Sequence, residues 1–277
     1  MTMTGNSTLG IIGYGNMGSA LGERWRSRSR IKVFEKDASR IAALAPETVA
    51  ATLDALCAEA QTLILAVKPQ DLDSVLTRIK GSVGHALVVS IAAGIPTAYL
   101  EKRLGPVRVV RAMPNLAVRV GKGTIALCKG AYARENDVAF MQELFALLGR
   151  TLVIEERLMD AVTAVSGSGP GFFFELVQQM PDAEWDAFAR NSFIPSLTVC
   201  AQKAGFSAEQ AGLLAAATAE GSIGLLRQTG MPAAALRDQV TSRGGTTEAG
   251  LKALRENGRL EEAVKAAVKR AGELART

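Results

Sequence analysis

The chain has 277 residues, of which 48% are hydrophobic and 21% charged, so it has apolar side chains enough for one large globular domain or two moderate ones and is no disordered segment. Its net charge of +5 is mild with both signs interleaved, which gives no nucleic-acid footprint. Cys57, Cys128 and Cys200 stand far apart without CxxC spacing, so no metal site is expected from them and a reducing compartment is.

His85 is the sole histidine and precedes an apolar run, which leaves no Ser-His-Asp triad or multi-histidine metal site elsewhere. Residues 1 to 8 are polar, unlike a secretory leader, and the apolar run Ala86 to Pro96 is far too short to span a membrane. The expectation is a soluble, cytoplasmic protein with no membrane partner.

In chain order, Leu9-Gly10-Ile11-Ile12 reads as a strand. It runs into Gly13-Tyr14-Gly15-Asn16-Met17-Gly18, a GxGxxG placed between strand and helix. The first glycine would make the tight turn, the second would admit a pyrophosphate, and the third would let helix and strand pack closely. The basic run Arg24, Arg26, Arg28, Arg30 and Lys32 reads as a solvated helix end. Ile31 to Phe34 reads as the second strand, and Glu35 follows at the place where an acidic residue meets a ribose 2′-hydroxyl. Lys36 and Arg40 lie beside it and would offset its repulsion of a 2′-phosphate.

Further apolar runs occupy 62–67, 86–91, 107–111, 124–128 and 151–154, separated by helix-like or turn segments. Strands alternating with helices predict a doubly wound parallel α/β sheet of Rossmann type. Ligands of such sheets lie beyond the carboxyl ends of the strands. The loops Ala66-Val67-Lys68-Pro69 and Ser90 to Gly94, with Ala92 and Ala93, should therefore line a cofactor crevice, as should Arg111 to Asn115. NADPH or NADH is the expected cofactor.

After about Glu156 strand-like runs stop and helical spacing takes over, as in the stripe Leu260, Val264, Ala267, Val268, Ala271 and Leu274. The expected division is a dinucleotide-binding domain over 1–156 and an all-α domain over 157–277, with Val165-Ser166-Gly167-Ser168-Gly169-Pro170 as the hinge. The stretch Asp238 to Leu251, DQVTSRGGTTEAGL, sets Gly244-Gly245, Thr246 and Thr247 ahead of a helix. A helix start with free N–H donors suits an anion, and the hydroxyls add neutral donors and acceptors. A capped loop alone would explain this stretch. The second glycine motif at the other end of the chain tips the reading toward a ligand site.

These pieces (IIGYGNMGSAL, AVKPQ, VVSIAAG, VRAMPN, VSGSGP and DQVTSRGGTTEAGL) resemble the pyrroline-5-carboxylate reductase family along nearly the whole chain. The resemblance implies reduction of a cyclic imino acid, Δ1-pyrroline-5-carboxylate, to L-proline with NAD(P)H. It implies a helical domain that interlocks two subunits, in some members within rings of dimers. By the same resemblance Gly13, Gly15, Asn16, Met17 and Gly18 would sit under the pyrophosphate. Ala66 to Pro69, Ala92, Ala93 and Asn115 would line the nicotinamide. Val240, Ser242, Gly244, Gly245, Thr246 and Thr247 would hold the substrate, with Thr247 at the ring nitrogen.

The chain departs from the family pattern at Arg243, commonly Pro, and at Glu248, usually apolar or neutral. It also carries about a dozen extra residues near Pro181 to Phe193. These departures bear on substrate choice and dimer contacts.

Hydride addition to a protonated imine needs no strong general acid, and none is offered, since Tyr14, Tyr99 and Tyr132 lack a lysine four residues on. Positioning would then carry the chemistry. A β-hydroxyacid dehydrogenase would need a lysine just past the hinge, and residues 167–202 contain none. A related imine reductase or a non-catalytic dinucleotide sensor are the other readings.

Overall fold

The structure, a computed structural model, describes residues 7–274. Most of the polar stretch over residues 1 to 8 lies outside the described residues. The described strands form one seven-stranded sheet in the order β2-β1-β3-β4-β5-β6-β7. They are β1 Thr8–Ile12, β2 Arg30–Phe34, β3 Thr62–Leu65, β4 Leu87–Ser90, β5 Val109–Pro114, β6 Gly123–Lys129 and β7 Gly149–Val153. The pairs β1–β2, β1–β3, β3–β4 and β4–β5 are parallel. Each expected strand is present within a few residues. Fully buried runs such as Thr8–Ile12 and Leu87–Ser90 show why, because strands covered on both faces carry no alternation.

The chain forms two compact units. One comprises residues 1–112 and 127–147, the other 113–126 and 148–277. The sequence reading placed a single cut at 156/157. The structure's cut comes earlier, and the end of β5, the turn after it and the start of β6 go to the second unit.

The first unit holds the helices α1 Asn16–Trp25, α2 Ala38–Ile41, α3 Leu53–Glu59, α4 Pro69–Ile79, α5 Thr97–Leu104 and α6 Glu135–Ala146. Trp25 closes α1 against α6: its indole N–H donates to Leu144 O at 2.9 Å and its ring meets Phe145 edge-on at 5.2 Å. That contact supplies apolar burial and satisfies the buried indole N–H at once. Contrary to expectation, the basic run does not all sit at a helix end. Arg30 and Lys32 lie on β2, where Lys32 is buried and reaches Glu59 at 3.5 Å.

The second unit is mainly helical: α7 Met159–Val162, α8 Gly169–Val177, α9 Trp185–Phe188, α10 Ile194–Lys203, α11 Ala208–Thr229, α12 Ala233–Val240, α13 Thr246–Asn257 and α14 Leu260–Leu274. The expected hinge at 165–170 is a correction. Residues Thr163–Gly167 form a π-turn continuous with α7 and α8, nearly all buried inside the second unit, so the segment joins helices and does not separate domains. The segment from Pro181 is anchored too, because Phe188 and Phe193 pack on Phe173 at 6.0 and 5.0 Å and Asp186 pairs with Arg227 at 2.5 Å. Among the described residues no helix is long and apolar enough to cross a membrane.

Candidate functional site

In the first unit the β1–α1 turn is built for close approach. Gly13 has φ +96, and a Cβ there would stand 2.8 Å from Ala66 O, so only glycine lets the turn pass the β3 loop. Gly15 caps α1 without a side chain, and no acidic residue occupies the first turn, which leaves the helix start open to an anion. Asn16 is exposed and Met17 half-buried there, while Gly18 is buried.

The Glu35 carboxylate turns onto this loop. One oxygen accepts the Tyr14 N–H at 2.6 Å and the other the Asp37 N–H at 3.0 Å. Its side chain is only 6% exposed, with Arg40 3.9 Å away. Two backbone donors thus hold the carboxylate at the end of β2, beside the glycine turn. The Arg40 guanidinium lies 3.2 Å from where a Cβ on Gly15 would stand. Lys36 is exposed and pairs with Asp71 at 2.9 Å.

Tyr14 reaches this cluster only through its backbone. Its ring is buried against Gly22, and burial raises its hydroxyl above the ordinary range. Ala66 and Val67 are half-buried, Lys68 and Pro69 exposed, and Ala92 buried in the core with Ala93 beside it half-buried.

Asn115 belongs to the second unit and its amide is engaged there: Nδ2 donates to Ser166 O at 3.0 Å, while Oδ1 accepts from Ala117 N and Thr124 N at 3.3 and 3.1 Å. At 3% exposure it works as a buried brace tying the end of β5 to the π-turn.

The Gly244–Thr247 loop opens α13. Gly244 has φ +70; its N–H donates to Glu248 Oε2 and its carbonyl accepts from Arg270 Nε, both at 2.7 Å. Gly245 N–H closes a turn onto Ser242 O at 3.0 Å, and Gly245 caps the helix without a side chain. The first intrahelical bond runs from Ala249 N–H to Gly245 O, so the N–H groups of Thr246, Thr247 and Glu248 head the helix. Ser242 and Gly244 are exposed, Val240, Gly245 and Thr246 half-buried, and Thr247 buried at 5%.

Gly171 on α8 backs this loop. A Cβ there would meet Thr247 Cγ2 at 2.6 Å and Val240 Cγ2 at 3.1 Å, so α8 presses directly on the loop's two ends. Ser168 joins the hydroxyls: Thr247 Oγ1 donates to Ser168 Oγ at 3.1 Å, and Thr246 Oγ1 lies 2.9 Å from the same oxygen. Behind them Glu175 clamps α8 to α12 and α13, taking Arg237 and Arg255 at 2.7 Å each. Arg255 first, then Arg237, hold its carboxyl below the usual range against the opposing effect of burial.

A pyrroline-5-carboxylate reductase from Methanosarcina acetivorans is 35% identical to this chain over 263 residues, 91% of each protein. The chain belongs to the pyrroline-5-carboxylate reductase family. The family model for pyrroline-5-carboxylate reductase dimerisation matches residues 156–188 and 187–276, two stretches that meet inside the segment near Pro181 to Phe193. A second, described as NADP oxidoreductase coenzyme F420-dependent, matches residues 8–94.

Among solved structures, pyrroline-5-carboxylate reductase from Coxiella burnetii superposes with a TM-score of 0.64 at 27% identity, covering 98% of this chain and 99% of that one. A Plasmodium falciparum pyrroline carboxylate reductase, solved with NADP bound, gives 0.63 at 26% identity and covers the same shares. The sequence reading did not single out Ser168, Glu175 and Arg270, whose side chains bond to the Gly244–Thr247 loop or to the helices around it. Ser168 lies in the VSGSGP motif and had a local signal. Glu175 and Arg270 sit on helices with nothing in their neighbourhood to mark them.

Proposed function

We propose that this protein reduces Δ1-pyrroline-5-carboxylate to L-proline with NADPH or NADH, in the cytoplasm and as a homodimer or a ring of dimers. Full-length similarity to reductases of that name supports the reaction, and three buried cysteines without disulfides fit a reducing compartment. Burial pushes the Cys57 and Cys200 thiols up to about 11, so both stay protonated and inert.

The residues present fit a dinucleotide. Gly13 makes the close turn, Gly15 leaves the start of α1 open, and Glu35 stands fixed at the end of β2. When bound, the nicotinamide supplies a hydride. The chain's own residues hold and orient the imine. The head of α13 receives the substrate carboxylate, with Ser242, Gly244 and Gly245 shaping the approach and Val240 forming an apolar wall. Thr247 meets the ring nitrogen, whose proton is already present, so hydride addition at carbon needs no acid from the protein. The single observation that carries the substrate site is the buried Thr247 hydroxyl at the head of an uncapped helix.

The test is NAD(P)H oxidation with pyrroline-5-carboxylate, run beside 3-hydroxy acids with the oxidised cofactor. Turnover of the imine alone supports the proposal. Turnover of the hydroxy acid would indicate a β-hydroxyacid dehydrogenase, and none with either substrate would indicate a sensor. Thr247→Ala should then lower kcat/KM by one to two decades, equal to the loss of one positioned hydrogen bond of about 1–3 kcal/mol.

A further inference from the structure

Ser168 belongs to neither glycine loop, yet two loop hydroxyls converge on it. It is fully buried, and it comes directly after the π-turn, its N–H donating to Thr163 O at 2.8 Å. The extra residue of a π-turn rotates the next helical residues by about 100°, the angular step of one helical residue. Ser168 does not cap α8 with its side chain, nor does any side chain cap α13. Helix capping therefore does not account for the hydroxyl cluster.

A hydroxyl carries one proton and two lone pairs. Thr247 gives its proton to Ser168, so its oxygen faces any further partner as an acceptor. The Ser168 proton then has Thr246 Oγ1 within reach at 2.9 Å. The direction of the Thr247-to-Ser168 bond matters, whichever way the Ser168–Thr246 contact runs. An acceptor at Thr247 suits a nitrogen that bears a proton and rejects a ring atom that offers only lone pairs. Without Ser168 the Thr247 hydroxyl could rotate and donate.

We propose that Ser168 is a positioning residue that holds the Thr247 hydroxyl as an acceptor, so that the site selects the protonated imine and the N–H of the product. This rests on the reading of Thr247 at the ring nitrogen.

The experiment compares wild type with Ser168→Ala, using two inhibitors of identical ring and carboxylate. Proline offers an N–H donor; tetrahydrofuran-2-carboxylate puts an acceptor-only oxygen in its place. Wild type should prefer proline strongly, and Ser168→Ala should narrow that preference about tenfold, one hydrogen bond's worth. A structural role would weaken both inhibitors equally, and that result overturns the proposal. In a Thr247→Ala background, Ser168→Ala should cost little more in kcat/KM, because the two act as one unit; full additivity also overturns it. Should Ser168→Ala fold poorly, Ser168→Cys keeps the volume with a weaker donor and acceptor and should show the same narrowing in smaller measure. Wild type inert toward pyrroline-5-carboxylate would refute the proposed reaction itself, whereas an active wild type with an unchanged inhibitor ratio refutes only the role of Ser168.

Discussion

The Gly244 N–H donates to the Glu248 carboxylate at 2.7 Å, which places a negative charge at the head of the helix assigned to the substrate's own carboxylate. The same bond steadies an exposed loop. Glu248→Gln keeps an acceptor and removes the charge, so KM for pyrroline-5-carboxylate should fall two- to fivefold, from relief of about 0.3–1 kcal/mol of like-charge repulsion. The difference should shrink as salt is added. A KM that stays level or rises would show that the substrate carboxylate lies elsewhere.

Glu35 is held by the Tyr14 and Asp37 amides, and under the proposed function its remaining lone pairs would accept from a ribose hydroxyl. NADH should be used at least as well as NADPH, and Glu35→Ser should shift preference toward NADPH, with Arg40 then opposed by Asp37 alone, 3.3 Å away. The ratio of kcat/KM for the two cofactors reads this directly. A strong NADPH preference in wild type that Glu35→Ser leaves alone would remove the carboxylate from cofactor choice.

Gly171→Ala would drive a methyl group into Thr247 Cγ2, 2.6 Å away, and Val240 Cγ2, 3.1 Å away. Overpacking of this kind costs about 1–3 kcal/mol. Because both neighbours belong to the substrate loop, kcat/KM should drop along with the melting temperature. Normal activity and stability together would mean that α8 does not support the loop.

Glu175 carries a stability that depends on pH. Its carboxyl sits below the ordinary 4.5 in the folded chain, because Arg255 and then Arg237 favour the charged form. The unfolded chain takes the proton more readily, so the stabilisation is complete above the ordinary value and is lost as pH falls through the folded one. Glu175→Gln should unfold more easily at neutral pH by about 1–3 kcal/mol. Denaturation curves should converge with wild type in acid; an equal gap at every pH would rule out this linkage.

The dimerisation match over 156–188 and 187–276 leads to an associated state at micromolar concentration. Sedimentation equilibrium should return at least twice the monomer mass of 29.2 kDa. A stable monomer would refute the assembly.

Much of this protein was legible in its sequence because the signals are local. Seven short apolar runs became the strands of the described sheet, and for all but the partly exposed β7 the reason is that a strand buried on both faces must be apolar along its length. Gly13 and Gly244 announced themselves because a turn at positive φ demands glycine. The head of α13 was marked by the GGTT run before a helical pattern.

What the sequence left undecided depends on partners distant along the chain. The segment 165–170 has the composition of a hinge, yet tertiary packing made it the end of a buried π-turn and the start of α8. Asn115 stands at a strand end, and only the fold shows its amide bonded to Ser166, Ala117 and Thr124. Only the fold brought Ser168 within 3.1 Å of Thr247 across 79 residues, and Glu175 onto two arginines from separate helices. Backbone turns and burial are written in neighbouring residues, whereas the direction of a hydroxyl's proton and the partner of a carboxylate are set by whichever helix packs against them.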